Sequence, residues 1–254
     1  MTYTEKEMMA ISAARLITNG DIVFCGTGIS MLAAMAAKHI HAPESLIFFE
    51  TGAIDSELDE VPLAVGDPRV MYRTSVNGSL IDAFSVMQNP VSGRHVVGIL
   101  GAAQIDAYGN LNSTVIGDYH KPKVRFSGSG GACDVASFVS RSIIFMKHEK
   151  RKFVKKLDYL TSPGWLDGGG SRGKAGIPGG GPQAVVTDLA VMAFDGDTRR
   201  MYLKEVYPGK TKEDVINRTS FDIDADKAVE ALPPTDMELK ILREKCDPMR
   251  LILG

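Results

Sequence analysis

Cysteine, tryptophan, long apolar runs and surplus charge are all scarce in this sequence, and each scarcity removes a class of protein. In 254 residues there are one tryptophan and three cysteines, Cys25, Cys133 and Cys246. An odd number without metal-type spacing argues against a disulfide scaffold or a zinc site and suits reduced thiols in a cytoplasmic protein. Cys25 and Cys133 read as small buried filler rather than as nucleophiles. The longest apolar runs, such as residues 96–103, are too short to cross a bilayer. The opening MTYTEKEMMA lacks the basic-then-apolar layout of a signal peptide. The 29 basic and 31 acidic side chains leave a net charge of −2, so no basic surface points to nucleic acid. Gly26-Thr27-Gly28 lacks the third glycine of the dinucleotide fingerprint, and no Walker lysine-serine pattern occurs. No serine sits in a nucleophile elbow, and no spacing of His, Cys and carboxylates specifies a metal.

What is present is an ordinary globular composition, 44% apolar and 24% charged, arranged as alternating elements. Residues 5–17 carry a helical apolar period closed by Asn19-Gly20. Residues 21–25 form a short β-rich run that meets Gly26-Thr27-Gly28. Residues 30–39, rich in Ala and Met, form a second helix. Residues 46–49 (LIFF) are continuously apolar, like strands buried on both faces of a parallel sheet. Helix, strand, helix, strand predicts an α/β fold with an open, mostly parallel sheet flanked by helices, in a single domain spanning residues 1–254. Further on, residues 96–100 and 142–146 read as strands, 106–117 as a glycine-punctuated turn region, 124–126 as a short strand and 132–139 as a helix. Residues 164–182 hold many glycines and read as a long loop of the kind that carries function. Residues 184–186 and 191–194 suggest a hairpin around Asp188, continued by 201–206. Thr211 reads as a helix cap, and residues 235–246 as a last amphipathic helix.

Three features lie at the carboxyl ends of predicted strands: Gly26-Thr27-Gly28, Glu50-Thr51-Gly52, and Gly101 with its following loop. That edge is where open parallel sheets bind ligands. The glycines from Gly128 to Gly131, just before a helix, add backbone N–H groups that can hold an anion or a developing oxyanion. Each feature also has a plainer reading. Glu50 can be a solvated loop residue, Gly26-Thr27-Gly28 is a weak motif, and the later glycines can be a tight strand-to-helix turn. What singles out Glu50 is its place after four apolar residues and just ahead of a glycine. A sheltered carboxylate there can serve as nucleophile or base. His39 and His41 flank a turn on the surface, and His120 follows Asp118-Tyr119 near the glycines. His148 sits in the charged run KHEKRK over residues 147–152, which reads as a solvated face that can also meet phosphates or an acidic partner.

The combination of segments is far more specific than any one of them. VFCGTG (23–28), ETG (50–52), GAAQIDAYGNLN (101–112), IGDYH (116–120), FSGSGGA (126–132), HEKR (148–151), DYLTSPGWLD (158–167) and the tail pair Asp247-Pro248 run through most of the chain. With them the sequence resembles the family I CoA-transferases, and among these the glutaconate-type β subunits. The resemblance implies a fold of the CoA-transferase type. It implies that Glu50, at the start of an E-x-G element, is the catalytic glutamate. The G-x-G-G-A element falls on 128–132, so the N–H groups of Gly130 and Gly131 are implied as oxyanion donors. Gly26, Thr27, Gly28, Gly52, Gly101, Ala102, Gln104, Gly109, Asn110 and Ser129 are implied to line the acyl and pantetheine pocket.

The same resemblance implies a hetero-oligomer with a separate α subunit. CoA enters as a thioester substrate rather than a resident cofactor, and the acid is glutaconate or another short dicarboxylate. The implied reaction passes through a glutamyl-CoA thioester on Glu50. Two points depart from a uniform family pattern: Cys133 and Asp134 follow the glycine element, and the position of Thr51 varies among relatives. An acyl-CoA hydrolase or decarboxylase on the same scaffold is a rival reading, although such relatives are expected to lack the glutamate. A non-catalytic metabolite-binding module is another, although no DNA-binding segment accompanies it.

Overall fold

The apolar run at residues 46–49 becomes a buried parallel strand, and the elements around it follow the expected alternation. The structure, a computed structural model, describes residues 2–58 and 60–254. The chain forms two compact units, Met1–Ile99 with Pro233–Gly254, and Leu100–Leu232. In the first unit, helix α1 (Glu5–Ala14) opens with a capping box. Thr4 Oγ1 accepts from Glu7 N at 3.2 Å, and Glu7 Oε2 accepts from Thr4 N at 2.8 Å. Strand β1 (Ile22–Phe24) pairs in parallel with β2 (Leu46–Phe48), Phe24 facing Phe48, and with β5 (Val96–Gly101) on its other side. Beyond β2 the short strands β3 (Ala53–Ile54) and β4 (Val76–Asn77) add antiparallel. The sheet is thus parallel at β5, β1 and β2 and antiparallel at its β4 edge.

Between β1 and β2 runs helix α2 (Ile29–Ile40), packed on α1. Its buried Ala33, Ala34, Ala36 and Ala37 leave room for that close approach. Helix α3 (Leu80–Gln88) lies between β4 and β5 in the sequence. The returning C-terminal helix, Asp236–Ile241 with a π turn over Leu242–Cys246, is fixed to α1 by two bidentate ion pairs. Arg15 grips Glu238 at 2.9 and 2.7 Å, and Arg243 grips the wholly buried Glu7 at 2.6 and 2.9 Å. Cys25 is buried, and burial pushes its thiol up to about 12, as suits packing filler. Cys133, in the other unit, is half-buried.

In the second unit, residues 106–117, expected as turns, contain strands too short to show a period. β6 (Gln104–Ile105) pairs with β7 (Leu111–Asn112), and β8 (Val115–Gly117) pairs with β9 (Pro122–Arg125), each antiparallel. After helix α4 (Ala132–Phe138), strand β10 (Arg141–Phe145) lies parallel to β11 (Pro182–Val186). The expected hairpin follows, β11 against β12 (Ala190–Phe194) and β12 against β13 (Met201–Val206), with β14 (Val229–Glu230) parallel to β13. Thr211 caps its helix, Lys212–Asn217, with a capping box to Asp214, as expected. Residues 164–182 are not an open loop. They hold a short helix, Ser171–Lys174, and are pinned through the buried Arg172.

His148 is the clearest departure from the sequence reading. Only 1% exposed, it lies in the core rather than on a solvated face. Its ring stacks on Phe153, centroids 4.0 Å apart, with Nδ1 3.3 Å from Thr187 Oγ1 and Nε2 3.0 Å from Thr219 Oγ1. Lys147, Lys150 and Arg151 stay exposed around it, so one charged run has a buried member. Burial, with a smaller push from Arg218 against the pull of Asp188, lowers the imidazole to about 4. The folded state therefore binds fewer protons than the unfolded chain between that value and about 6.5. The His148 contribution is present in full above pH 6.5 and is lost as pH falls towards 4, by about 3 kcal/mol. Urea midpoints for wild type and His148→Gln, taken from pH 7 to pH 4, should converge as the pH drops; parallel curves would contradict a buried neutral ring.

Candidate active site

Glu50 sits at the tip of a hairpin whose backbone leaves no freedom. β2 ends at the buried Phe48, and the next residue, Phe49, is buried as well. Phe49 N then donates to Ala53 O, and Gly52 N to Phe49 O, both at 3.0 Å, so Glu50 and Thr51 are the two central residues of the turn. Gly52 takes φ +96°, open only to glycine without strain, and a Cβ there would collide with the carbonyl of Gly78, whose N–H donates to Gly52 O at 2.8 Å. Gly52 thus fixes the turn. Glu50 is half-buried, and its carboxylate makes no hydrogen bond or ion pair with the described residues. It is placed by its backbone and left unengaged.

Beside it, the loop after β1 leaves the sheet at the same edge, and Cys25 N donates to Phe48 O at 3.4 Å. Gly26, Thr27 and Gly28 are half-buried and lead into α2, whose N-cap position is Gly28 at φ +90° with no side-chain cap. Ser30 Oγ donates back to Gly26 O at 3.3 Å, so the loop is a strand-to-helix turn with partly open backbone. Thr51 Oγ1 is buried with no hydrogen-bond partner, a state that costs stability. Replacing Thr51 with Val should leave stability unchanged or raise it by about 1 kcal/mol, read as a urea midpoint. A loss of activity in that stable variant would assign the hydroxyl to the reaction.

The second unit carries the other expected residues, and they divide into two kinds. Gln104, Gly109 and Asn110 are buried and occupied internally. Gln104 Oε1 accepts from Asn112 Nδ2 at 2.7 Å while its Nε2 donates to Asp158 Oδ2 at 2.9 Å. Asn110 donates to Asp106 and Leu166 O and accepts from the N–H groups of Gly164 and Leu166. Gly109, at φ +71°, lies where a Cβ would strike Phe194 and Pro182. These three shape the segment, and the side-chain polar atoms of Gln104 and Asn110 all have partners within it. Gly101 is exposed, and Ala102 lines a pocket of about 620 Å³.

At the glycine turn, Gly130 has φ +49° and Gly131 φ −78°, opposite signs in succession that aim neighbouring N–H groups into one concavity. Neither N–H donates to any described residue. Ser129 supports the turn: its Oγ accepts from Cys133 N at 3.0 Å. Sequence reasoning missed Ser113, which ties the turn down by donating its Oγ to Gly128 O at 3.0 Å, while its carbonyl accepts from Gly128 N at 3.2 Å. No signal in the sequence marks that long-range contact. His120 is exposed, edge-on to Tyr119. Among the described residues no group of three His, Cys, Asp or Glu is arranged to hold a metal ion.

The family model for coenzyme A transferase matches residues 6–218. The chain belongs to that family. It is 46% identical over 250 residues to the second subunit of the glutaconate CoA-transferase of Acidaminococcus fermentans, covering 97% of this chain and 93% of that one. It is 38% identical over 242 residues to the corresponding subunit of the 3-oxoadipate CoA-transferase of Pseudomonas knackmussii, covering 95% and 92%. The crystal structure of the Acidaminococcus fermentans glutaconate coenzyme A-transferase superposes with a TM-score of 0.96 at 44% identity, over 100% of this chain and 98% of the other. The α/β fold expected from the sequence is therefore that of a CoA-transferase, and the rival of a non-catalytic module loses its ground. No helix among the described residues is long and apolar enough to cross a membrane.

Proposed function

We propose that this chain is the nucleophile-bearing β subunit of a CoA-transferase that moves CoA between short dicarboxylic acids of the glutaconate type, with Glu50 as nucleophile. The observation that carries the reading is the Glu50 turn: a half-buried residue with an unengaged carboxylate, on a backbone-bonded turn at the carboxyl end of a buried parallel strand. The Glu50 carboxylate attacks the donor thioester carbonyl, and the tetrahedral oxyanion calls for N–H donors of the kind that Gly130 and Gly131 leave free in the second unit. CoA thiolate leaves, giving an acyl-glutamyl anhydride. The thiolate then adds to the Glu50 carbonyl and expels the donor acid, leaving a glutamyl-CoA thioester. The acceptor carboxylate reverses the sequence, and ping-pong kinetics follow.

In the first unit Gly26, Thr27 and Gly28 offer backbone and a small side chain to the substrate, and Gly52 shapes the turn that carries Glu50. In the second unit Gly101, Ala102 and Ser129 do the same, and Gln104, Gly109 and Asn110 hold the segment around them in shape. The full span, 1–254, works as one functional domain with a separate α partner. The exposed apolar side chains Leu63, Leu80, Ile81 and Val91, each at least 58% exposed, support a chain that is covered by another. CoA is substrate and no resident cofactor is invoked. The unpaired cysteines and the CoA substrate favour the cytoplasm.

The test is trapping. After co-expression with the α partner and incubation with glutaryl-CoA, borohydride or hydroxylamine should leave a modification at Glu50, read by mass spectrometry of its peptide. An unmodified Glu50 in an enzyme that still transfers CoA would end the proposal.

A further inference from the structure

We infer that the pocket walled by Ala102, Ile116, Val124 and Phe126 takes the phosphate-bearing half of the CoA thioester, with Arg151 and Lys152 as its phosphate ligands. This rests on the CoA-transferase reading and adds to it the residues that recognise the anionic end of the substrate. The pocket, about 620 Å³, is of a size that holds a small organic ligand. Its wall on the β9 side is apolar and uncovered: Val124 is 46% and Phe126 38% exposed, a surface suited to a flat base or the pantetheine arm. Arg151 and Lys152 complete the lining. Lys152 is set there by its backbone, since its carbonyl accepts from Ile105 N at 2.7 Å.

One carboxylate aligns both cations. Glu149 Oε2 accepts from Arg151 Nε at 2.6 Å, and Glu149 Oε1 lies 3.3 Å from Lys152 Nζ. That grip uses Nε and leaves the two terminal nitrogens of Arg151 without a partner among the described residues, the donor pair that binds a phosphate bidentately. Another lining residue, Ser113, is the one bonded to Gly128 at the base of the glycine turn. Within this unit, then, come free N–H groups, an apolar trough and two aligned cations, matching the thioester, the arm and the phosphates of an acyl-CoA.

The experiment uses the enzyme co-expressed with its α partner, and compares glutaryl-CoA with glutaryl-pantetheine, which has no phosphate. The double change Arg151→Gln and Lys152→Gln should raise KM for glutaryl-CoA by about 30-fold or more, leave kcat within about twofold, and leave kcat/KM for the pantetheine thioester unchanged. Binding of free CoA, measured by calorimetry, should weaken by a similar factor. Wild type and variant binding CoA alike, or an equal loss with the pantetheine thioester, would overturn the inference. A wild-type complex that binds CoA more tightly than the variant but transfers nothing would overturn the transferase reading alone.

Discussion

Glu50→Ala should abolish CoA transfer and leave the fold standing. The carboxylate makes no hydrogen bond or ion pair with the described residues, and the turn that carries it is closed by backbone bonds of Phe49, Gly52 and Ala53. Truncation therefore removes no structural contact, and the unfolding midpoint should stay within about 2 °C of wild type. The chemical loss is of another order. Without a nucleophile, the two-step path through an anhydride and a thioester is gone, and kcat should fall by about 10⁴-fold or more. Glu50→Gln keeps the shape and removes the charge, so it should be as inactive as the alanine variant. Glu50→Asp draws the carboxylate back by one methylene and opens space for water beside the reacting carbonyl. Residual turnover in that variant should appear as free CoA released without an acceptor acid. A fully active Glu50→Ala enzyme would refute the assignment of the nucleophile.

How far the sequence leads depends on the length over which each signal acts. The run LIFF and the glycine shortly after it act locally, so the strand, its end and the turn holding Glu50 are all readable. The hairpin around Asp188 and the caps at Thr211 and Thr4 are local too; the first two are expected from the sequence, and the cap at Thr4 fits the same rule. β3, β4, β6 and β7 have two residues each, too few for any period to show. The motif GAAQIDAYGNLN is recognisable by resemblance, but which of its members are free to meet a ligand depends on partners about fifty residues away. Gln104 is bound to Asp158, and Asn110 to Gly164 and Leu166. His148 obeys the same logic: six polar residues in a row look solvated, yet Thr187 and Thr219, far along the chain, supply the hydroxyls that let its ring sit in the core.

The largest expected loss of stability comes from a residue that no local pattern marks. Arg172 lies in the glycine-rich stretch, is 3% exposed, and has no carboxylate among its hydrogen-bond partners. Its guanidinium donates to five backbone carbonyls: Gly179 at 2.8 Å, Pro163 at 3.2 Å, Gly164 at 2.9 Å, Ala136 at 2.6 Å and Ser137 at 3.1 Å. Two of these belong to α4 and three to the 163–179 stretch, so one side chain joins them. Burial pulls its pKa down to about 10, which still leaves it charged at neutral pH. Arg172→Met fills a similar volume but takes the guanidinium from five carbonyls, of which Ser137 O keeps the Gly179 N–H as donor, at a cost of about 4 kcal/mol or more. In a chain of this size that lowers the unfolding midpoint by about 10 °C. Arg172→Lys should recover little of it, because a compact ammonium with three donors cannot reach five acceptors set around a planar fork. The glycine turn at Gly130 and Gly131 opens α4, so partial loss of this clamp should also raise the KM for acyl-CoA at temperatures below global unfolding. If Arg172→Met unfolds at the wild-type temperature, the stretch is held by something other than this guanidinium.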